Sequence, residues 1–231
     1  MNISDQDYYI DIHTHSPGSF GDVIQIINLF PDQPVEKLAA HHFYSLGWHP
    51  WFISEDNYEA ILKTVSEECI DSQILAIGEC GLDQLSKAPL TLQLKAFQQQ
   101  ALIAERVGKP LLIHCVRAAN EMIRLKKEMK PKMPWIIHGF NSNLITGREL
   151  IRHGFMISFG VDLLKDVSNA YNFLPEIPLD RLFLETGDMD IHVQKIYQRA
   201  ALKLEIEIST LKKQIYSNFN TVFPGYSERN K

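Results

Sequence analysis

Cysteine and excess positive charge are both scarce in this sequence of 231 residues. Its three cysteines, Cys69, Cys80 and Cys115, share no CxxC spacing, which argues against a disulfide framework and against a thiolate zinc site. Lys and Arg together number 23 against 28 Asp and Glu, so the formal net charge is −5. This balance excludes a polybasic nucleic-acid coat protein, although it permits a local basic rim around a cleft.

Long apolar runs are absent as well. No stretch approaches the roughly 18 residues of a membrane-spanning helix, and the first residues, MNISDQDYY, are acidic where a secretory signal would be basic. Unpaired thiols and the lack of a targeting signal predict a cytoplasmic protein without membrane contact. An apolar fraction of 45%, with only 12 Gly and 11 Pro, is typical of a globular chain rather than a disordered or fibrous one.

No internal repeat, low-complexity tract or linker-like change of composition interrupts the chain. Barrels of the α/β class with roughly 200 to 250 residues commonly form one domain. We therefore predict a single domain over residues 1–231, and we expect a monomer or weak oligomer.

Short β-rich runs alternate with amphipathic segments along the sequence. The predicted strands are Tyr8 to His15, Val23 to Phe30, Phe43 to Trp48, Ile74 to Glu79, Leu111 to Cys115, Trp135 to Phe140, Phe155 to Gly160 and Leu182 to Thr186. The predicted helices are Glu55 to Ile70, Leu90 to Val107, Ala118 to Met129, Ser142 to His153, Leu163 to Phe173, Ile191 to Leu204 and Ser209 to Asn220. Gly108 and Gly154 mark two helix ends that precede strands.

Eight strands alternating with helices predict an α/β fold, a (β/α)8 TIM-like barrel with an extra C-terminal helix. A doubly wound sheet is the alternative architecture. Parallel strands normally require a crossover of about a dozen residues, whereas only Ser16 to Asp22 and Pro31 to His42 separate the first three strands. The barrel is therefore expected to be irregular at its first two connections.

Chemically active side chains stand at the ends of several predicted strands, where barrels of this type place their active sites. His13 and His15 in DIHTH share one face of the first strand, and two imidazoles about 7 Å apart can converge on one cation. Glu79, His114 and His138 follow apolar runs in the same way. Any one of them could be an ordinary polar residue at a barrel mouth or a core histidine bonded to a carbonyl. Agreement among four strand ends favours a site, because unpaired polar groups are costly to bury.

Four imidazoles and one carboxylate without thiolate form a ligand set that suits Zn²⁺, Mn²⁺ or Fe²⁺ and permits Mg²⁺. Five protein ligands exceed what one catalytic ion needs beside its water. The economical interpretation is two divalent ions (Mg, Mn or Zn), about 3.5 to 4 Å apart and bridged by the carboxylate, an arrangement that serves to cleave phosphodiesters.

Several motifs then point to a known family. The segments DIHTH, GWHPW, IGECGLD, FQQQALIAERVGKPLLIHCVRA, IIHGF and FLETGD, with NFNTVF near the C-terminus, resemble the TatD family of metal-dependent deoxyribonucleases within the amidohydrolase-like barrels. The resemblance spans residues 11–223. It implies a TIM-like barrel and divalent-metal-dependent hydrolysis of DNA, commonly as a 3′ to 5′ exonuclease acting on single-stranded or frayed ends.

The resemblance also implies the metal ligands, position by position. His13 and His15 would hold one ion, Glu79 would bridge, and His114 and His138 would hold the second ion. These are the residues that the strand ends single out independently. As the shared ligand, Glu79 is also predicted to belong to the catalytic machinery.

One departure from the family pattern stands at the end of the eighth strand. The family has Glu-Thr-Asp there, and this Asp ligates the first metal and orients or deprotonates the attacking water, whereas this chain has Glu185, Thr186, Gly187 and Asp188. Because strand side chains alternate, Asp188 should point away unless the backbone bends at Gly187. Either Asp188 supplies the ligand and the catalytic base, or Glu185 or a water substitutes, or the first metal is weakly held.

Two further residues are predicted to bind substrate. Arg117, three residues beyond His114, could clamp a phosphate in bidentate fashion, the alternative being a pair with a neighbouring carboxylate. In the family, the histidine equivalent to His49 lines the cleft and can contact a phosphate. Trp48 and Trp51 flank it and could stack on a base, but at least one of them is expected to pack under the loop.

Two other classes of function are compatible with these residues. A metallohydrolase acting on a small ester, amide or lactone would share the barrel and the histidines, because a fold does not fix a substrate. Glycine at position 187 also permits a weakly active member, or a protein that only binds metal or nucleic acid. The main prediction is a two-metal deoxyribonuclease.

Overall fold

The structure is a computed structural model, and it describes residues 8–16, 18, 20–31 and 42–229. Its strands are β1 (Tyr9–Thr14), β2 (Val23–Leu29), β3 (His42–Leu46), β4 (Ile74–Asp83), β5 (Leu111–Val116), β6 (Trp135–Ile137), β7 (Met156–Phe159) and β8 (Leu182–Leu184). Its α-helices are α1 (Tyr58–Glu68), α2 (Leu90–Val107), α3 (Ala119–Met129), α4 (Leu144–Arg152), α5 (Asn169–Phe173), α6 (Gln194–Leu204), α7 (Ile208–Val222) and α8 (Pro224–Arg229).

The eight strands are parallel and pair in chain order from β1 to β8. The last strand returns to the first through a parallel bridge between Thr14 and Gly187. Gly187 N donates to His13 O at 3.0 Å, and His15 N donates to Gly187 O at 2.9 Å. The sheet therefore forms a nearly closed barrel. The predicted TIM-like fold is confirmed, and the doubly wound alternative is wrong.

The helices form where an apolar stripe can be buried against the barrel. In α2, Phe97, Ala101 and Ala104 repeat at helical spacing and are buried. Gly108 ends α2 in the left-handed region (φ 68°), where its N–H donates to Ala104 O. Gly154 follows α4 with φ 74°. Both helix ends predicted at glycines are therefore confirmed.

The helix predicted over Leu163 to Phe173 is wrong. The chain forms a 3-10 turn at Val161–Leu164 and then a separate short helix, α5. Ser168 begins α5, because its Oγ accepts from Tyr171 N at 3.0 Å while donating to Asp162 O at 2.6 Å. A serine that bonds neighbouring backbone groups favours a helix cap over a helix interior.

Two predicted strands have the wrong length. β4 runs on to Asp83, four residues past the predicted end, because residues 80–83 pair with residues 113–116 of β5. β6 stops at Ile137, so His138 follows the strand, although its N–H still donates to Ile113 O at 3.1 Å. The other predicted strands and helices match observed elements, with ends displaced by at most three residues.

The connections agree with the prediction where the structure describes them. No helix occurs among the described residues between β1 and β2, as expected for so short a link. The second irregular connection, Pro31 to His42, lies almost entirely outside the described residues. The predicted extra C-terminal helix corresponds to α7, and the short helix α8 was not predicted. Within the described part of the chain, no helix has the length and hydropathy needed to cross a membrane.

Candidate metal centre

The carboxylate of Glu79 lies at the carboxyl end of the barrel, at the centre of a group of imidazoles. Its Oε1 atom is 2.7 Å from His138 Nε2, 2.8 Å from His114 Nδ1 and 3.2 Å from His49 Nε2. Glu79 belongs to β4 and His114 to β5, while His138 follows β6 and His49 follows β3. Glu79 is 4% exposed. Consecutive strand ends therefore bring three imidazoles to one oxygen of a buried carboxylate.

The other oxygen of Glu79 faces the end of β1. Its Oε2 atom is 3.4 Å from His15 Nε2 and 3.6 Å from His13 Nε2. The two imidazoles lie at right angles with ring centroids 4.8 Å apart, so both histidines of DIHTH reach the same carboxylate. Five histidines thus surround Glu79.

Asp188 reaches this side of the centre despite the alternation of strand side chains. Gly187 has a φ of 60°, in the left-handed region that glycine adopts readily. The chain bends there, and Asp188 Oδ1 lies 3.6 Å from His15 Nε2. The Asp188 side chain is 88% exposed, so it stands at the rim of the site rather than inside it.

Two buried carboxylates stand behind the imidazoles. Asp83 Oδ2 is 3.0 Å from His114 Nε2, and Glu185 Oε1 is 3.2 Å from His138 Nδ1. Each carboxylate therefore holds one ring nitrogen and leaves the other nitrogen facing Glu79, an arrangement common around metal-binding histidines. Sequence reasoning missed Asp83, although positions 79, 81 and 83 share one face of a strand. It considered Glu185 only as a substitute ligand.

The backbone of Glu79 is fixed by a residue that the sequence analysis also missed. Asn28, in β2, accepts a hydrogen bond from Glu79 N at 2.7 Å and another from Ser45 Oγ at 3.2 Å through its Oδ1 atom. Asn28 is buried at the carboxyl end of its strand. A polar residue near the end of an apolar strand was the available signal.

Gly81 allows β4 to approach β5 beside the centre. It is paired with His114 in the sheet and has a φ of 153°. A Cβ atom at this position would collide with the backbone carbonyl oxygen of His114. The second glycine of IGECGLD therefore allows the close approach of the strands that carry Glu79 and His114.

Burial and charge give the groups of the centre different pKa values. Burial, helped by the nearby His138, lowers the pKa of His13 to about 3, so His13 is a neutral imidazole. Burial acts to raise the pKa of Glu79, but His138 and the hydrogen bond from His114 outweigh it and hold that pKa well below its usual value. Burial also opposes charge on His138, but Glu79 and Glu185 raise its pKa well above normal.

The donor set fits divalent cations. Two groups of three ligand atoms lie within 4.8 Å of one another: those of His13, Glu79 and His138, and those of His49, Glu79 and His114. Glu79 is the member common to both groups, as a bridging carboxylate would be. His13 Nδ1 and Glu185 Oε2 are buried without a hydrogen-bond partner among the described residues. Nitrogen and carboxylate ligands of this kind suit Zn²⁺, Mn²⁺ and Mg²⁺.

All of the predicted ligands lie at this centre, namely His13, His15, Glu79, His114, His138 and Asp188. The compact groups differ from the predicted sharing between two ions, since they place His138 beside His13 and bring His49 next to His114. His49 was predicted only to contact substrate. The ligand roles of these residues stay predictions.

The two predicted substrate residues differ in their surroundings, since His49 belongs to the imidazole group and Arg117 lines a cavity beside it. His49 Nδ1 accepts a hydrogen bond from Trp51 N at 3.1 Å, so in its neutral form the ring proton sits on Nε2, which then acts as a donor. Arg117 is exposed with a φ of 54°. It lines a cavity of about 500 Å³ together with His138 and Asn143.

The two tryptophans beside His49 have different environments. Trp48 is buried and donates from Nε1 to Phe52 O at 3.2 Å, which confirms that at least one tryptophan packs under the loop. Trp51 is exposed, and its Nε1 donates to Asp83 Oδ2 at 2.6 Å. The same Asp83 oxygen therefore contacts both Trp51 and His114.

Replacing Asp83 by Asn is expected to weaken metal binding. The amide removes the charge that fixes the ring of His114, and loss of such an outer carboxylate typically costs about 10 to 100-fold in metal affinity. Calorimetric titration of metal-depleted protein with Mn²⁺ measures the change. Asp180→Asn, at an exposed position outside the centre, is the matched control. Equal Mn²⁺ affinity in both variants would show that Asp83 does not position His114.

A (β/α)8 barrel with histidines and a carboxylate gathered at the carboxyl ends of its strands defines a class of proteins, the metal-dependent hydrolase barrels. Within that class, the sequence model of the family described as TatD related DNase matches residues 33–224. The chain belongs to this family. His13 and His15 lie outside the matched range, so their place at the centre rests on the geometry.

Individual proteins agree with this assignment. A Bacillus subtilis (strain 168) protein described as the uncharacterized metal-dependent hydrolase YabD is 32% identical over 147 residues, which cover 62% of this chain and 57% of that protein. The chain thus spans little more than half of that relative. The 3'-5' ssDNA/RNA exonuclease TatD of Klebsiella pneumoniae (strain 342) is 27% identical over 73% of this chain and 66% of its own length.

A solved structure shares the fold. The crystal structure of YJJV, a TatD homologue from Escherichia coli K12, superposes with a TM-score of 0.79 and covers 95% of this chain and 99% of that one. Its sequence identity is 18%, so the likeness concerns the barrel alone.

Proposed function

We propose that this chain is a divalent-metal-dependent deoxyribonuclease that hydrolyses phosphodiester bonds with two ions. The observation that carries the proposal is the buried Glu79 carboxylate contacted by five imidazoles in a barrel of the TatD family. The name of the Klebsiella relative supports single-stranded nucleic acid as the substrate class. Frayed DNA ends would serve equally, because they are locally single-stranded.

We assign the ligands of the two ions as the family motifs imply. His13 and His15 would hold one ion, Glu79 would bridge, and His114 and His138 would hold the second. Bound ions (Mg, Mn or Zn) would supply Lewis-acid polarisation of the phosphate and a lowered pKa for water. The position of Glu79 supports a bridging role, since its carboxylate belongs to both compact groups of candidate ligands.

The phosphate would be held by His49 and Arg117. Because the Trp51 N–H donates to Nδ1, the ring proton of neutral His49 is on Nε2, which lies 3.2 Å from Glu79 Oε1; His49 would donate to a phosphate oxygen by exchanging that contact. The guanidinium of Arg117 can bind two oxygens at once, and its position in the cavity that His138 also lines supports a contact with the phosphate. Together these residues would orient the phosphodiester.

Asp188 would accept the proton of the attacking water and supply the ligand that residue 187 lacks. Its carboxylate stands 3.6 Å from His15 and is exposed, so it can turn toward an ion or a water at the rim. Glu185 is a poorer substitute, because one of its oxygens is held by His138 and the side chain is buried. The bend at Gly187 supports this role for Asp188.

We further propose that the protein works in the cytoplasm as a monomer or weak oligomer. Cys69, Cys80 and Cys115 are all free thiols, two of them buried. Unpaired cysteines are typical of a reducing compartment.

Metal depletion tests the proposed function directly. Protein treated with chelator and then dialysed should lose hydrolysis of a labelled single-stranded oligodeoxynucleotide and regain it with Mg²⁺ or Mn²⁺. Elemental analysis of the reloaded protein should find two ions per chain. Retained cleavage in excess chelator would refute metal dependence.

A contaminating nuclease is the main source of error in this assay. Glu79→Gln protein purified in parallel controls for it, because any activity left in that preparation belongs to another enzyme. A substrate panel then separates the proposal from a small-molecule metallohydrolase. Excess unlabelled oligonucleotide should compete with the hydrolysis of every phosphodiester substrate that the protein accepts.

A further inference from the structure

Two exposed aromatic rings and one half-buried ring border the centre on the side of β2 and β3. Trp51 and Phe52 are 61% and 55% exposed. The ring of His49 lies 5.0 Å from that of Trp51 and 5.7 Å from that of Phe52. Phe30 lies 5.3 Å from Phe52 and 6.0 Å from His15. We call Phe30, Trp51 and Phe52 the aromatic shelf, and it leads from solvent to two histidines of the centre.

Trp51 is held in one orientation although most of its surface is exposed. Its indole N–H donates to Asp83 Oδ2 at 2.6 Å, and its backbone N–H donates to His49 Nδ1 at 3.1 Å. Asp83 is buried and also holds His114. A side chain fixed in this way loses little conformational entropy when a ligand covers it. Trp48, which packs the same loop, is buried instead.

We propose that the aromatic shelf stacks an unpaired base next to the scissile phosphate and so selects single-stranded DNA. This inference rests on the proposed nuclease function. A phosphate held at the centre would leave its neighbouring base within reach of these rings, because Trp51 and Phe52 lie 5.0 and 5.7 Å from the ring of His49. Every base offers a planar face to an aromatic ring, but in a duplex the neighbouring base pairs cover those faces. Only a single strand or a frayed end can then use the shelf.

Replacement of the shelf residues by Ala tests the inference by binding. Quenching of 2-aminopurine in a single-stranded oligodeoxynucleotide reports stacking on metal-depleted protein without turnover. Trp51→Ala and Phe52→Ala should each raise the Kd by about tenfold, and Trp51→Phe should lose less because it keeps a ring. Leu202→Ala, at an exposed position on α6, should bind like the unmodified protein.

Hydrolysis by the metal-loaded enzyme provides a second measurement. Phe52→Ala should raise the KM for the oligonucleotide and leave kcat within about twofold, because the Phe52 ring would contact the base and not the phosphate. Trp51→Ala should raise the KM and lower kcat as well, because its indole N–H donates to the Asp83 oxygen that holds His114. For an oligonucleotide with abasic terminal residues, Phe52→Ala and the unmodified enzyme should have the same KM.

The two proposals fail by different observations. The stacking proposal would be overturned if Kd and KM were equal in all variants, or if Phe52→Ala raised the KM equally for the abasic oligonucleotide. Either result would leave the proposed nuclease function intact. Absence of metal-dependent DNA cleavage by the unmodified protein would overturn the nuclease proposal. Circular dichroism checks that each variant folds. If Trp51→Ala does not fold, the binding of Phe52→Ala and Trp51→Phe still tests the proposal.

Discussion

Replacing Glu79 by Gln is expected to abolish binding of the two metal ions and to lower kcat/KM for single-stranded DNA by at least about 10³-fold. Both carboxylate oxygens face imidazoles, Oε1 at 2.7 to 3.2 Å and Oε2 at 3.4 to 3.6 Å. An amide carries no charge and has only one oxygen. It is therefore a poor bridge between two cations, and among the described residues no other carboxylate contacts all five histidines.

The loss at position 79 must be separated from a loss of folding. Glu68→Gln removes an exposed carboxylate of α1 and should match the unmodified protein in metal content, melting temperature and activity. Circular dichroism and elemental analysis of Glu79→Gln are expected to show a folded barrel without metal. A Glu79→Gln protein that still binds two ions and cleaves DNA would end the proposal of a bridging carboxylate.

The barrel could be predicted because its signals are local. Apolar β-rich runs recur between amphipathic helices, and Gly108 stops α2 in the sequence as it does in the structure. The break at Ser168 could not be predicted from periodicity, because it depends on a side-chain hydroxyl that competes with the helical backbone. Hydrophobic spacing carries no information about that competition.

Glu79, His114 and His138 could be predicted because each comes after an apolar run of its own strand, and a parallel barrel brings these strand ends together. Asp83 and Asn28 could not, because their roles arise from contacts between distant segments. Asp83 meets Trp51 across 32 positions of sequence, and Asn28 meets the backbone of Glu79 across 51. Such pairs are set by how the loops pack, and one sequence does not reveal them.

The direction of the Asp188 side chain, at the end of β8, was harder to predict. Alternation correctly describes an extended strand, but Gly187 leaves the extended region with a φ of 60° while its backbone still pairs with His13 and His15. One residue in this conformation is enough to carry Asp188 back toward His15. The sequence showed that such a bend was permitted and could not show that it occurs.

Asp188→Asn is expected to lower kcat for single-stranded DNA by about 10² to 10³-fold, the usual contribution of a general base. The Asn side chain has the same shape but cannot accept the proton of water. The decrease should appear in steady-state kinetics at saturating oligonucleotide and Mn²⁺. Asp190→Asn, two residues further along the same exposed segment, should retain full activity.

Moving the carboxylate from position 188 to position 187 tests whether Asp188 replaces the aspartate that the family has at position 187. A Cβ at position 187 meets only Glu185 Oε1, at 4.0 Å, and Asp tolerates the left-handed backbone better than most residues. Gly187→Asp combined with Asp188→Asn should therefore recover a large part of the lost kcat. If Asp188→Asn is fully active and Gly187→Asp alone raises kcat sharply, then Asp188 is not the base. The natural chain would in that case be a weakly active member of its family, because glycine leaves its first metal short of a ligand.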